Sequence, residues 1–351
     1  MRILVVRLSA LGDLVHTLPA VAALRRRFPD AEIDWLVQER FGELVDLVPV
    51  VDNRFTLTRA CAGALSSMWR ATRVLRRRKY DVAIDIQGLV KSALAARLSR
   101  PRRVLGFEPA HLREPAARWL HTESVPVTGV THVVEKNLAL VQPLVGEPGP
   151  WEFPLANRPS NALTQTRRTL GLDDGDGFVV LNPGTAWCSK SWEAIRYGAL
   201  AKCLRDENRL QSAVLWGPGE EALARAVAVA SDGAAIPAPA TGITDLVAHL
   251  RAATVVVAGD TGPLHLAAAV GTPVVGIYGP SDPKRNGPWS ALDEIVSGDG
   301  PCQCRLDRQL RSSRGVVIQR CSQSRHCLDE IPVEDVLASV QRRLSALATH
   351  G

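Results

Sequence analysis

The chain has 351 residues, which exceeds the usual single domain and at about 150 residues per domain suggests two. With 46% hydrophobic and 22% charged residues it is a globular sequence, which excludes disorder and a collagen-like repeat. The net charge of +6 is uneven: residues 1–150 carry +7 and the remainder −1, and residues 51–120 alone hold 15 Lys and Arg against 5 Asp and Glu. An acidic partner is therefore expected on the first half.

In chain order, the apolar run Arg2–Leu8 predicts a buried parallel strand, ended by Ser9-Ala10-Leu11-Gly12. Leu14, Leu18, Val21, Ala22 and Leu24 recur at helical spacing and predict one helix over 13–28, stopped by Pro29. A strand at 32–37, a helix near 39–47, a basic helix at 67–79, a strand at 80–86 and a helix at 89–98 follow. The Pro- and Gly-rich stretch 147–160 marks a domain boundary. Beyond it the alternation resumes, with strands at 178–181, 212–216, 254–258 and 273–278. Helices are expected at 191–207, 220–230, 244–252, 261–270 and, amphipathically, 332–348. Alternating strands and helices predict α/β domains with doubly wound parallel sheets, and ligands at the C-terminal strand ends in a cleft between them.

Charges at Arg7 and Asp13 interrupt the apolar start too soon for a secretory segment. The longest stretch without Asp, Glu, Lys or Arg, residues 261–281, is broken by Gly and Pro, so no membrane span is expected. Seven cysteines, an odd number with Cys61, Cys188 and Cys203 scattered, point to reduced thiols and a cytoplasmic chain.

Four loops follow strands and carry chemistry. In Gly259-Asp260-Thr261-Gly262-Pro263-Leu264-His265 a helix start can offer backbone N–H groups and its positive end to a diphosphate, with Gly262 permitting close approach. Simple capping by Asp260 or Thr261 is the competing reading. In Asn182-Pro183-Gly184-Thr185 through Lys190-Ser191-Trp192, Lys190 can neutralise a phosphate and Thr185 can donate to it. After the 212–216 strand, Glu220 and Glu221 can hold ribose hydroxyls or merely occupy a first helical turn. After the first strand, Gly12-Asp13 places a carboxylate that can accept a proton from an attacking hydroxyl, while His16 reads as packing.

The basic stretch 70–79 and its neighbours Lys91 and Arg113 fit an anionic lipid or glycolipid at least as well as nucleic acid, since no DNA-reading motif or aromatic stacking platform accompanies them. Cys302, Cys304, Cys321 and Cys327 lie in a loop-like insertion; their spacing departs from the usual C-x2-C pairs, which favours thiols over a zinc or iron site.

Taken in order, Arg7–Pro19, Tyr80–Ser92, Asn182–Trp192 and Gly259–His265 through Tyr278–Pro283 make the chain resemble the glycosyltransferase family 9 heptosyltransferases. The resemblance implies a GT-B fold of two Rossmann-like doubly wound domains facing a central cleft. An acceptor domain would span 1–155 and a nucleotide-sugar domain 156–331, with the helix of 332–351 packing back on the first. It implies inverting, metal-independent transfer of heptose from ADP-heptose to an inner-core lipopolysaccharide acceptor of the Kdo–lipid A type. The enzyme would work at the inner face of the inner membrane and need no cofactor or nucleic acid. By motif, Asp13 matches the general base. Lys190, Asp260, Thr261, Gly262 and His265 match the diphosphate and heptose site, with Thr185 beside it and Glu220 or Glu221 on the ribose. Gly12, Arg73, Arg76, Arg77, Lys91 and Arg113 match the acceptor side. The cysteine insertion resembles cysteine-rich members, including protein heptosyltransferases with an iron-binding finger. It leaves open another nucleotide sugar or a protein acceptor; a nucleotide-sugar epimerase or hydrolase on the same fold and a non-catalytic anion-binding protein are the remaining alternatives.

Overall fold

Short runs of Val, Ile and Leu become the central strands of two parallel sheets. A computed structural model of the chain describes residues 1–58, 64–185, 190–298 and 327–350. The chain divides into two units, Met1–Asn157 and Arg158–Gly351.

The first unit holds β1 (Arg2–Val6), β2 (Glu32–Gln38), β3 (Asn53–Leu57), β4 (Val82–Asp85), β5 (Arg103–Phe107) and β6 (Glu123–Val125). They pair in parallel in the order β3-β2-β1-β4-β5-β6. Ile3, Leu4, Val5 and Val6 are fully buried, because helices cover both faces of the sheet and a continuous apolar run replaces alternation. Its helices are α1 (Leu11–Val15), α2 (Leu18–Arg27), α3 (Gly42–Asp46), α4 (Ala64–Arg78), α5 (Val90–Leu98) and α6 (Val133–Val145). The single helix expected over 13–28 is two. Pro19 has no N–H to donate to the preceding turn, so a new helix starts at Leu18 with the proline in its first turn. Met68 and Leu75 of α4 and Ala95 and Ala96 of α5 pack with Leu4, Val6, Ala83 and Val104 of the sheet.

The second unit repeats the plan with β7 (Val179–Asn182), β8 (Ser212–Val214), β9 (Ala235–Pro237), β10 (Val255–Gly259), β11 (Val274–Tyr278) and β12 (Glu294–Ser297). Their order is β12-β11-β10-β7-β8-β9, again all parallel. The helices are α7 (Asn161–Leu170), α8 (Ala194–Asn208), α9 (Glu221–Ala230), α10 (Ile243–Ala252), α11 (Gly262–Ala269), α12 (Pro283–Asn286) and α13 (Val333–His350). The terminal helix packs within the second unit. Val336 and Val340 of α13 are fully buried in the second unit's core with Trp192, Leu200, Val275 and Ile277. Its apolar stripe is thus consumed by α8 and the sheet of its own unit.

In each sheet the strand order reverses once, between β1 and β4 and between β7 and β10. Within each unit the loops leaving the C-terminal ends of those two strands flank a switch point, the place where open α/β sheets bind ligands. Among the described residues, no helix is long and apolar enough to cross a membrane.

Candidate active site

At the second unit's switch point, β10 ends at Gly259 and α11 begins at Gly262. Capping does not explain the residues between them. The Thr261 hydroxyl donates back to the Gly259 carbonyl at 3.2 Å and makes no cap, and Pro263 brings no N–H. The Asp260 carboxylate is turned to three side chains. Its Oδ2 accepts from Lys190 Nζ at 2.5 Å, and its Oδ1 accepts from Asn286 Nδ2 and lies 3.2 Å from His265 Nε2. A carboxylate only accepts, so Nε2 of His265 carries a proton. Burial of Asp260 opposes its charge, but the hydrogen bond and charge of His265 and the Lys190 ammonium prevail and hold it well below the usual carboxylate range. The Tyr278 phenol is pushed up by burial and by the Asp260 charge, and it donates to the Asn286 carbonyl at 3.2 Å.

Lys190 follows the loop that leaves β7, and Thr185 stands half-buried on that loop. Asn182 ends the strand and turns its amide onto the Gly184 carbonyl at 3.2 Å. Glu220, just before α9, lies against the α-carbon of Gly184, where any side chain would overlap its carboxylate. Its Oε2 accepts the Gly217 N–H at 2.9 Å. Glu221 is placed otherwise, in an exposed pair with Arg225 one turn along the helix at 2.5 Å. Of the two acids expected on the ribose side, only Glu220 joins the loops around Lys190 and Asp260.

The first unit's switch point is built on Asp13, in the first turn of α1 after half-buried Gly12. Its Oδ1 pairs with Arg7 at 2.8 Å and its Oδ2 accepts the Ala10 N–H at 3.2 Å. Arg7, nearly buried, also donates to the Ile86 carbonyl at 2.6 Å. Gln87 ties this loop to the one after β4, accepting from the Leu8 and Ser9 N–H groups at 2.6 and 3.4 Å. Below it, the fully buried Asp85 carboxylate accepts from the Gln87 and Gly88 N–H groups and lies 3.0 Å from His121 Nε2. Gly88, at φ +69°, lets Leu112 and Arg113 close over the turn, and Arg113 itself is exposed.

Lys91 follows half-buried in the first turn of α5. On α4, Arg73 and Arg77 are exposed, and Arg73 lies over the Trp69 ring at 5.4 Å. Arg76 is spent on the seam with α5, donating to the Leu98 carbonyl at 2.6 Å. His16 is buried edge-on to His132 at 5.9 Å, as packing requires. Cys302, Cys304 and Cys321 lie outside the described residues; Cys327 opens the short turn Cys327–Glu330, with its sulfur close to Gly279.

Sequence reasoning passed over Arg7, Gln87, Asp85, His121 and Asn286. Arg7 and Gln87 stood inside the recognised segments, where only their position in a loop could have drawn notice. Asn286, 26 residues from Asp260, gave no local signal.

Two doubly wound units, each with polar groups gathered at its switch point and a cation beside a helix start in the second, define an α/β protein of the class that binds ligands at the carboxyl ends of its strands. The family model described as glycosyltransferase family 9 (heptosyltransferase) matches residues 68–314. Lipopolysaccharide heptosyltransferase 1 of Pseudomonas aeruginosa is 29% identical over 312 residues, 86% of this chain and 85% of that protein. Lipopolysaccharide heptosyltransferase 3 of Escherichia coli K12 is 25% identical over 345 residues, 95% of each chain. The solved E. coli heptosyltransferase WaaC with ADP aligns with a TM-score of 0.75 and 23% identity, over 98% of this chain and all of that one. A family 9 glycosyltransferase from Veillonella parvula aligns at 0.81 with 20% identity, over 98% and 97%. The chain belongs to glycosyltransferase family 9, the heptosyltransferases. It is an enzyme with the GT-B fold, and the reading as a non-catalytic anion-binding protein falls.

Proposed function

We propose that this enzyme transfers heptose from ADP-heptose to an anionic inner-core lipopolysaccharide acceptor of the Kdo–lipid A type, with inversion at the anomeric carbon. The observation that carries the reading is the Lys190–Asp260–His265–Asn286 cluster at the start of α11. The names of the lipopolysaccharide heptosyltransferases and the ADP in the solved relative support it.

On this reading the acceptor hydroxyl gives its proton to Asp13 as its oxygen bonds to the anomeric carbon. The bond from that carbon to the diphosphate oxygen breaks, and the electron pair leaves with ADP. Asp13 suits the task because Arg7 and the Ala10 amide orient it, and each carboxylate oxygen can accept a second hydrogen bond. Lys190 spends one of its three donors on Asp260 and directs the others to the diphosphate, where the amides and positive end of α11 add a preorganised field. Thr185 and Thr261–Gly262 would line the diphosphate, Glu220 the ribose, and Gly12, Lys91 and Arg113 the acceptor. Arg73 and Arg77 add positive charge toward it. The acceptor's lipid would keep the enzyme peripheral on the cytoplasmic face of the membrane.

Because Lys190 and backbone amides carry the leaving-group charge, turnover is expected to survive EDTA. The test is mass spectrometry of products from ADP-heptose and a Kdo–lipid A acceptor. Asp13→Asn should lower kcat by about 10²-fold or more with ADP affinity unchanged. Near-normal turnover of that variant would sink the base assignment, and transfer only from other nucleotide sugars would sink the donor.

A further inference from the structure

We propose that the outer face of α4 and α5, with the adjoining turn Pro115–Leu120, docks directly on an anionic lipid bilayer and that Trp69 and Trp119 are its interfacial anchors. The proposal deepens the reading above and rests on it for the nature of the surface. Its own basis is a set of features that neither the sheet nor the catalytic loops need.

The inner side of α4 is accounted for by Met68, Thr72 and Leu75, buried at helical spacing. Its outer side is left to Trp69, Arg70, Arg73, Val74 and Arg77. Trp69 is 60% exposed and Trp119 is 77% exposed, although a tryptophan turned to water forfeits the burial that makes it worth placing. Each lies under a guanidinium, Arg73 at 5.4 Å from Trp69 and Arg118 at 4.2 Å from Trp119. On α5, Val90 and Leu94 are exposed one turn apart, with exposed Arg97 following. The turn with Trp119 packs beside α5, and α5 packs beside α4, so the three elements present one side of the unit.

Charge complementarity selects the partner. Residues 64–78, 90–98 and 115–120 contain no Asp or Glu. Glu114, which precedes the turn, is engaged by the Val90 N–H at 2.7 Å. A face of arginines interleaved with tryptophan and aliphatic side chains, without acids, suits the interface of an anionic bilayer: guanidinium groups meet the headgroup phosphates while the rings sit at the acyl boundary. A protein partner of ordinary mixed charge does not require this composition. Location agrees as well. A crossover helix runs antiparallel to the strands it joins, so the first turns of α4 and α5 lie toward the C-terminal strand ends where Asp13 stands.

The experiment is co-sedimentation of the full chain with vesicles of phosphatidylglycerol in phosphatidylethanolamine, and with phosphatidylcholine alone. The wild type should bind the anionic vesicles, release with rising salt, and ignore phosphatidylcholine. The W69A/W119A and R70E/R118E variants, all at exposed positions, should each bind about tenfold or more weakly. W69A/W119A should keep wild-type turnover on a deacylated, water-soluble acceptor and lose it only on acceptor embedded in vesicles. Equal sedimentation of wild type and variants would overturn the proposal. So would equal binding to phosphatidylcholine, or a face that governs self-association and not vesicle binding. If no acceptor is turned over at all, the functional reading fails while the vesicle measurement still decides the docking.

Discussion

The two switch points share a plan and differ in what surrounds their carboxylates. In both, an aspartate stands where a central strand gives way to a helix, Asp13 in the first turn of α1 and Asp260 just before α11. Asp13 pairs with the Arg7 guanidinium and accepts from the Ala10 amide, and its side chain is 27% exposed. Asp260 meets Lys190, His265 and Asn286 and is 9% exposed. A carboxylate encircled by donors is held ionised and acts as a strut for the cation beside it. One with more than a quarter of its side chain open to solvent can still be reached by a ligand hydroxyl. The two aspartates stand on opposite sides of the strand-order reversal, Asp13 after the first strand of its unit and Asp260 after the fourth of the other, and the chemistry of each follows from its neighbours.

The largest effect that separates them is on stability. Asp260→Ala strands a largely buried ammonium and removes the acceptor of two further side chains. It should cost about 3–5 kcal/mol in urea unfolding and abolish ADP binding. Asp13→Ala also uncovers a buried guanidinium, but Arg7 keeps the Ile86 carbonyl at 2.6 Å and water can enter the space left by the partly exposed carboxylate, so it should cost less, about 1–3 kcal/mol, with ADP binding intact. Equal costs would break the distinction between strut and base.

Acid sensitivity sharpens it. The folded-state pKa of Asp260 lies below its unfolded value of about 3.9, so the unfolded chain binds more protons as the pH falls. Its contribution is therefore present above that unfolded value and lost as pH falls below it toward the folded one. Asp260→Asn should flatten the drop in urea midpoint between about pH 5 and about pH 3; an unchanged slope would place the acid-sensitive group elsewhere.

How much of this was legible follows from the physics of each part. β1, β7, β10 and β11 were readable because strands buried on both faces are written as continuous apolar runs. β6 and β9, three residues each, and β3, with Asn53 and Arg54 in it, carry no such run and were not assigned. Asp13, Lys190 and Asp260 were readable as charged groups in loops after strands. How such loops pair was not, since Gln87 meets Leu8 across 79 residues and Lys190 meets Asp260 across 70. The sequence could also leave only a choice between Glu220 and Glu221, because both sit acceptably at a helix start. Their difference lies in Gly184 and Gly217, which leave room for one carboxylate.

That room gives an intermediate effect. Gly184→Ala puts a methyl group where the Glu220 carboxylate lies, so the flexible acid must swing away and release the Gly217 N–H. The expected stability cost is about 1–2 kcal/mol, with a raised KM for donor and kcat on saturating donor nearly unchanged. An unchanged donor KM would show that Glu220 has no part in donor binding.

The smallest effects separate the two acids directly. Glu221→Gln removes only an exposed i,i+4 pair with Arg225, worth a few tenths of a kcal/mol, about 0.3–0.5. ADP titration calorimetry should not distinguish this variant from wild type. Glu220→Gln keeps the side-chain shape and its carbonyl can still accept from Gly217, but a neutral amide is a weaker acceptor for a ribose hydroxyl than a carboxylate. ADP affinity should fall by about threefold to tenfold, with the folded state little changed. If the order is reversed and Glu221→Gln weakens ADP, the pair with Arg225 must open in the bound state, and the ribose-side carboxylate is the one turned outward on α9.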